Sequence, residues 1–360
     1  TLAPSPLAQM AGFVGSYGLT LLTLVMAVTI ARLIRPRPVL HVAPMLAIYA
    51  GLFFWGVQLE RDVSVGDGSS AIVRLIQPNA PQHQKWDREF MPVFYNRLID
   101  ATSAAPAAGQ AKPDLIVWPE TSVPTLLGWA DDILTEIARR ADGVPVVFGI
   151  QRRDGARLYN SAVLMDTDGS VSAVYDKYHL VPFGEYLPFG DALAKFGISS
   201  FAAQEGHGYS AGTGPQVWDL AGIGAALPLI CYEAVFPQDV AAAPMRPDLL
   251  LQITNDAWFG GFSGPQQHLT QARMRAIEQG VPLVRAANTG VSAVIDARGH
   301  VRASLGLGEA GFIDAAVPAA LPATPYSRSG DLGLALLLVL GLGGLFLQQR
   351  RTGMGSRRNR

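Results

Sequence analysis

Ala225-Ala-Leu-Pro-Leu-Ile-Cys231-Tyr232-Glu233-Ala-Val-Phe236 holds the only cysteine in a chain of 360 residues. The apolar run before Cys231 reads as a buried strand, and the spacing from Glu233 to Val240 predicts a helix just after it. That puts the thiol at a strand-to-helix turn, near a helix N-terminus, where the dipole favours thiolate. Position alone leaves two roles open, a structural thiol or a nucleophile, because free cysteine is among the most buried residue types.

Working outward, the composition points to a membrane. Charged residues make up 16% of the chain, against roughly 25% in a soluble protein, and the mean hydropathy is positive. A net charge of −1 gives no electrostatic ground for a nucleic-acid partner. One cysteine excludes an internal disulfide, and no Cys/His spacing of the zinc type is present. Three runs qualify as spans: Phe13 to Ile34, Val39 to Leu59, and Leu332 to Leu347, the last slightly short unless Gln348 and Gln349 extend it. Arg32, near the end of the first run, forms with Arg35 and Arg37 a short basic turn before the second, and Arg350, Arg351, Arg357, Arg358 and Arg360 follow the third. If all three span, both basic clusters share one side, which the positive-inside rule makes cytoplasmic. The third run also reads as a buried core helix, but the basic tail beyond it favours a span. The expected organisation is two transmembrane helices with an Arg-rich cytoplasmic turn over 1–59, an outward-facing domain over 60–330, and a transmembrane helix with a basic tail over 331–360.

The 60–330 block is of mixed α/β character. Ala71 to Ile76, Leu115 to Trp118, Val144 to Phe148 and Leu249 to Ile253 read as strands. Asp168-Gly169 and Arg298-Gly299 read as the turns of two hairpins. Pro265 to Gln279 reads as a helix, with proline in its first turn and Gly280 past its end. Ala101 to Lys112, rich in Ala, Pro and Gly, reads as a surface loop. Strands outnumber helices, so a layered sandwich fits better than a doubly wound sheet.

Other ionisable residues stand in short, unusual contexts. Glu120 ends Val117-Trp118-Pro119-Glu120, directly after a strand. Lys177 and Glu185 share Asp176-Lys177-Tyr-His-Leu-Val-Pro182-Phe-Gly184-Glu185-Tyr186-Leu-Pro188, and Glu233 follows the cysteine by two. Each alone reads as a solvated loop residue. Together they supply thiol acyl chemistry: a carboxylate to take the thiol proton, an ammonium to stabilise thiolate and oxyanion, and a nucleophile.

These residues carry a resemblance. Trp118-Pro119-Glu120, the Lys177 loop and Cys231-Tyr232-Glu233 resemble the Glu-Lys-Cys triad of the nitrilase (carbon–nitrogen hydrolase) superfamily. The Lys177-to-Pro188 stretch, Asn255-Asp256-Ala-Trp258-Phe-Gly-Gly with Gly264-Pro-Gln-Gln-His268, and Gln77-Pro-Asn79-Ala-Pro-Gln-His-Gln-Lys85-Trp86 resemble the apolipoprotein N-acyltransferase family. The resemblance covers essentially the whole chain. It implies an α/β fold, a nitrilase-like α-β-β-α sandwich flanked by transmembrane helices, with the catalytic domain facing the periplasm from a bacterial inner membrane. It implies Glu120 as general base, Lys177 as the oxyanion-side cation and Cys231 as the nucleophile that carries the acyl group. Glu185 orients Lys177 or the thiol, Tyr232 and Glu233 shape the site, and the backbone N–H after Cys231 is a second oxyanion donor. Trp86 and Trp258 match positions that handle substrate, though either also reads as a core residue. The donor implied is a phospholipid and the acceptor a diacylglyceryl apolipoprotein, with no metal or organic cofactor. Members normally carry further transmembrane helices before this point, so the resemblance implies an N-terminally truncated chain. A membrane-tethered amidase or nitrilase-type hydrolase would use the same three residues with water as acceptor.

Phe183, Leu187, Phe189, Phe196 and Phe201 form an aromatic-rich series beside the Lys177 loop. It reads either as a small satellite core or as a surface that dips into the bilayer.

Overall fold

The computed structural model describes residues 5–32, 39–61, 71–106, 110–188 and 208–357. The chain divides into two compact units, Thr1–Asp62 with Pro322–Arg360, and Val63–Leu321.

The first unit is helical. Helices Ala11–Ala31 and Val39–Arg61, and the stretch Leu332–Gln349 of helix Leu332–Arg357, are predominantly apolar with no single polar face, the pattern of a helix that faces lipid. All three contain stretches long and apolar enough to cross a membrane. The third runs beyond the expected Leu347, to Arg357. Thr20, Thr23 and Thr29 turn their hydroxyls back onto carbonyls one turn earlier, so these three polar groups are satisfied within the helix. The first helix kinks at Gly15, where φ is +67° and a Cβ would strike the ring of Tyr326. Arg35 and Arg37 lie outside the described residues.

The second unit contains twelve strands among its described residues: β1 (Ile72–Gln77), β2 (Leu115–Val117), β3 (Val146–Asp154), β4 (Arg157–Met165), β5 (Val171–Asp176), β6 (Trp218–Leu220), β7 (Gly224–Ile230), β8 (Leu249–Thr254), β9 (Leu283–Ala287), β10 (Ser292–Ile295), β11 (Val301–Leu305) and β12 (Gly311–Ala316). They form two six-stranded sheets, ordered β12-β1-β2-β3-β4-β5 and β11-β10-β9-β8-β7-β6. β1, β2 and β3 are parallel at the heart of one sheet, and β7, β8 and β9 at the heart of the other. Strands buried on both faces read as mostly apolar runs, and these do, with Arg74, Gln252 and Arg285 as buried polar interruptions. In β2 and its continuation, Leu115 and Val117 join the core between the sheets while Ile116 and Trp118 pack outward. Helices Met91–Ser103 and Asp131–Ala141 cover that outer face, and Gly264–Gln279 covers the outer face of the other sheet. The result is the expected α-β-β-α sandwich.

Both expected hairpins are present, with Gly169 and Gly299 at φ of +85° and +81° in their turns. The loop expected over Ala101 to Lys112 is corrected at its start. Ala101 to Ser103 complete a helix, and Ala101 and Thr102 are buried. Their carbonyls, with that of Ala104, receive Arg74, which also pairs with Asp314 at 2.7 Å. Arg74 and Asp314 stand opposite each other on β1 and β12, both almost wholly buried. Removing either partner of such a pair costs about 3–5 kcal/mol, because the other charge is left uncompensated.

Candidate active site

Cys231 follows the last residue of β7 and adopts φ of +50°, a left-handed backbone that a non-glycine residue holds only when its surroundings impose it. Those surroundings grip its carbonyl. Gln252 Nε2, from β8, donates to it at 3.1 Å, and His268 Nε2, from the covering helix, lies at 3.0 Å. Behind them, His268 Nδ1 is 2.8 Å from Asp256 Oδ1, and Arg285 reaches both Gln252 Oε1 and Asp256 Oδ2 at 2.5 Å. All four side chains are buried. The strain at Cys231 is therefore held by a closed polar network between β8, β9 and the helix Gly264–Gln279.

The expected helix dipole at the thiol is corrected. Cys231–Val235 is a single 3₁₀ turn, and the next helix, Pro237–Ala241, has only five residues. Burial pushes the Cys231 thiol well up, the charge of Glu120 adds to the rise, and Lys177 opposes it. Burial thus favours the neutral thiol over the thiolate, so the chemistry calls for a group that takes the proton as the sulfur reacts.

Glu120 lies two residues past Trp118, where β2 runs out into the cavity. Its Oε1 accepts from Asn160 Nδ2 at 2.7 Å and its Oε2 from the backbone N–H of Asn255 at 2.7 Å. Lys177, directly after β5, places Nζ 2.8 Å from Glu185 Oε1 and 3.7 Å from Glu120 Oε1. Burial alone lowers the basicity of Lys177, but Glu185, Glu120 and Cys231 more than offset it, and the amine stays charged. Glu185 thus meets Lys177, and its Oε2 also accepts from the backbone of Val181, closing the Lys177 loop.

Glu120, Lys177, Glu185, Cys231 and Tyr232 line one cavity of about 410 Å³. Trp86 and Trp258 line it too, at 37% and 57% exposed, so neither is a core residue. Tyr232 stands edge-on to Phe236 and His179. Glu233 is fully buried behind the cysteine. Its Oε1 accepts from the Tyr175 hydroxyl at 2.7 Å and the backbone N–H of Tyr178 at 2.8 Å, and its Oε2 from that of Ile230 at 2.7 Å. It ties the end of β7 to the start of the Lys177 loop. Burial pushes its carboxyl up to about 7, against these donors and Lys177. Phe183 is exposed and Leu187 partly so; Phe189, Phe196 and Phe201 lie outside the described residues.

Sequence reasoning gave no role to Asn160, Lys85, Gln252, His268, Asp256 or Arg285. Signals existed for five of them: Lys85, Asp256 and His268 stand in the stretches that carry the resemblance, and Gln252 and Arg285 interrupt otherwise apolar buried strands, where a polar residue needs a partner.

The chain belongs to the carbon-nitrogen hydrolase family, whose match runs over residues 72–326. In three dimensions it is similar to an amidase from Nesterenkonia sp., with a TM-score of 0.53 and 22% identity over 75% of this chain and 97% of that one, a likeness of fold alone. Its curated relatives carry a narrower name. It is 42% identical over 94% of its length to the apolipoprotein N-acyltransferase of Bradyrhizobium diazoefficiens, and 39% identical over 97% to that of Rhodopseudomonas palustris. The chain spans 66% and 68% of the lengths of these two relatives. Similarity to these relatives and three membrane-length helices make it a membrane protein.

Proposed function

We propose that this protein is an apolipoprotein N-acyltransferase that moves a fatty acyl chain from a phospholipid, through a thioester on Cys231, to the N-terminal amine of a diacylglyceryl-cysteine. The observation that carries the reading is the meeting of Glu120, Lys177 and Cys231 on one cavity in a chain with three membrane-length helices.

In the first half-reaction Glu120 takes the thiol proton as the sulfur attacks the ester carbonyl. Lys177 and the backbone N–H of Tyr232 stabilise the tetrahedral oxyanion. The ester C–O bond breaks, the proton on Glu120 passes to the leaving lysophospholipid oxygen, and the acyl chain remains on sulfur. In the second half the α-amine attacks the thioester, Glu120 takes its proton, the C–S bond breaks, and the proton returns to sulfur. Glu185 holds Lys177 in place, Tyr232 and Glu233 shape the turn around the nucleophile, and Trp86 and Trp258 border the path of the substrate. The similarity to the relatives' apolipoprotein N-acyltransferases supports the choice of acceptor.

The two arginine clusters support a bacterial inner-membrane location with residues 60–330 in the periplasm, residues 1–59 and 331–360 supplying the spans. The test is transfer itself: purified protein, phospholipid vesicles and a diacylglyceryl-cysteine peptide should give the N-acylated peptide, and Cys231→Ala should give none. Free fatty acid in place of the amide would make the protein a hydrolase.

A further inference from the structure

Lys85 is a second buried lysine, set against the Glu120 turn, and the chemistry above gives it no part. It is 8% exposed. Its Nζ donates to the backbone carbonyl of Glu120 at 3.1 Å and to the Thr121 hydroxyl at 2.7 Å. Thr121 has φ of +45°, a backbone that must be held in place. On its other side the turn presses on Gly149 of β3, where a Cβ would run into the backbone of Glu120 and Thr121. The Glu120–Thr121 turn is therefore pinned between a strand and an amino group.

The segment that carries Lys85 is anchored independently. Its backbone N–H bonds Pro81, and Gln82 accepts from the Asn255 side chain at 2.9 Å, the same residue whose N–H holds the Glu120 carboxylate. Ala80 exchanges two bonds with the Asn288 side chain. One short segment thus reaches Glu120 from two directions.

We propose that Lys85 is a positioning residue for the base: its ammonium locks the Glu120–Thr121 turn and so fixes the carboxylate against the Cys231 thiol. This rests on the acyl-transfer reading only in taking Glu120 as the base. Burial lowers the basicity of Lys85 to about 8, while the charges of Glu120 and Cys231 oppose the fall. Across a small cavity it also faces Tyr95, whose hydroxyl burial and Glu136 push up to about 12. Charge-assisted hydrogen bonds are roughly twice as strong as neutral ones, so the clamp slackens as Lys85 loses its proton.

Cys231 is the sole cysteine, so its alkylation by iodoacetamide, read as intact mass, reports removal of the thiol proton whatever the natural substrate. Lys85→Met should slow alkylation at pH 7 by about tenfold, and thioester formation from phospholipid by at least as much, with KM unchanged. Acylation by the unaltered protein should turn down above a pH of about 8, as Lys85 deprotonates, and Lys85→Arg, which keeps its charge, should move that limb upward. Thr121→Val removes one partner of the clamp without touching the charge, and should slow both reactions several-fold even if Lys85→Met does not fold. Alkylation rates unchanged in both Lys85→Met and Thr121→Val, or an alkaline limb that stays put in Lys85→Arg, would overturn the proposal. If alkylation depends on Lys85 but phospholipid leaves no thioester on the unaltered protein, the clamp stands and the acyltransferase reading falls.

Discussion

The ammonium of Lys177 lies 2.8 Å from the carboxylate of Glu185, and both are buried. A lysine held so firmly in its charged form cannot serve as a base. What it can do is present a fixed positive charge where an oxyanion develops. Arginine is planar and bulkier, and its charge is spread over three nitrogens. Lys177→Arg should therefore lose at least about 100-fold in turnover, the scale of one oxyanion donor. Near-normal turnover in that variant would remove Lys177 from the mechanism.

The network under the Cys231 carbonyl gives a second expectation. Arg285 is wholly buried and pairs with Asp256 at 2.5 Å. Burial alone would raise the carboxyl of Asp256, but Arg285 and His268 hold it well below the usual carboxylate range. A depressed acid contributes its stability above the unfolded-state pKa and loses it as the pH falls through the folded one, so this contribution lasts through mildly acid conditions. Asp256→Asn should destabilise the fold by about 3–5 kcal/mol at neutral pH, because it strands the Arg285 charge. Thermal unfolding within a degree of the unaltered protein would show that the pair carries no such load.

Glu233 gives the opposite pH dependence. Its folded-state carboxyl sits at about 7, above the ordinary value of 4.5. Between those values the folded chain keeps a proton that the unfolded chain releases, so stability falls as the pH rises, by up to about 3 kcal/mol. Glu233→Gln should flatten the melting temperature between pH 5 and pH 7.5 relative to the unaltered protein. Parallel curves for the two proteins would contradict this.

Orientation in the membrane is tested from outside. Protease added to intact spheroplasts should cut within 60–330 and leave the arginine-rich tail intact. Cleavage confined to the tail side would reverse the topology.

The sequence carried the two-sheet architecture where apolar residues dominate a strand, as in β1, β2 and β8, even with Arg74 and Gln252 set within two of them. It did not carry β9 and β12, short strands in which a buried charge, Arg285 or Asp314, stands beside small alanines rather than within a long apolar run. Those charges are tolerated because of partners such as Arg74, 240 positions from Asp314 along the chain, and no local pattern reveals them. The same holds in the site. Glu120, Lys177 and Cys231 stand in distinctive short contexts, whereas Asn160 and Lys85 acquire their place only when the fold brings remote segments together. The helix expected after Cys231 failed for a local reason: Phe236 is extended and Pro237 starts a new helix, leaving one tight turn at the nucleophile.

The central claim is that Cys231 carries an acyl chain from phospholipid and keeps it until an amine arrives. A transferase must shield that thioester from water, whereas a hydrolase must admit water to it. The most direct measurement is the intact mass of the protein after incubation with phospholipid vesicles and no acceptor. The account predicts a gain of one acyl chain, removed by neutral hydroxylamine and absent from Cys231→Ala. An unchanged mass, or free fatty acid released as fast as donor is consumed, would contradict it.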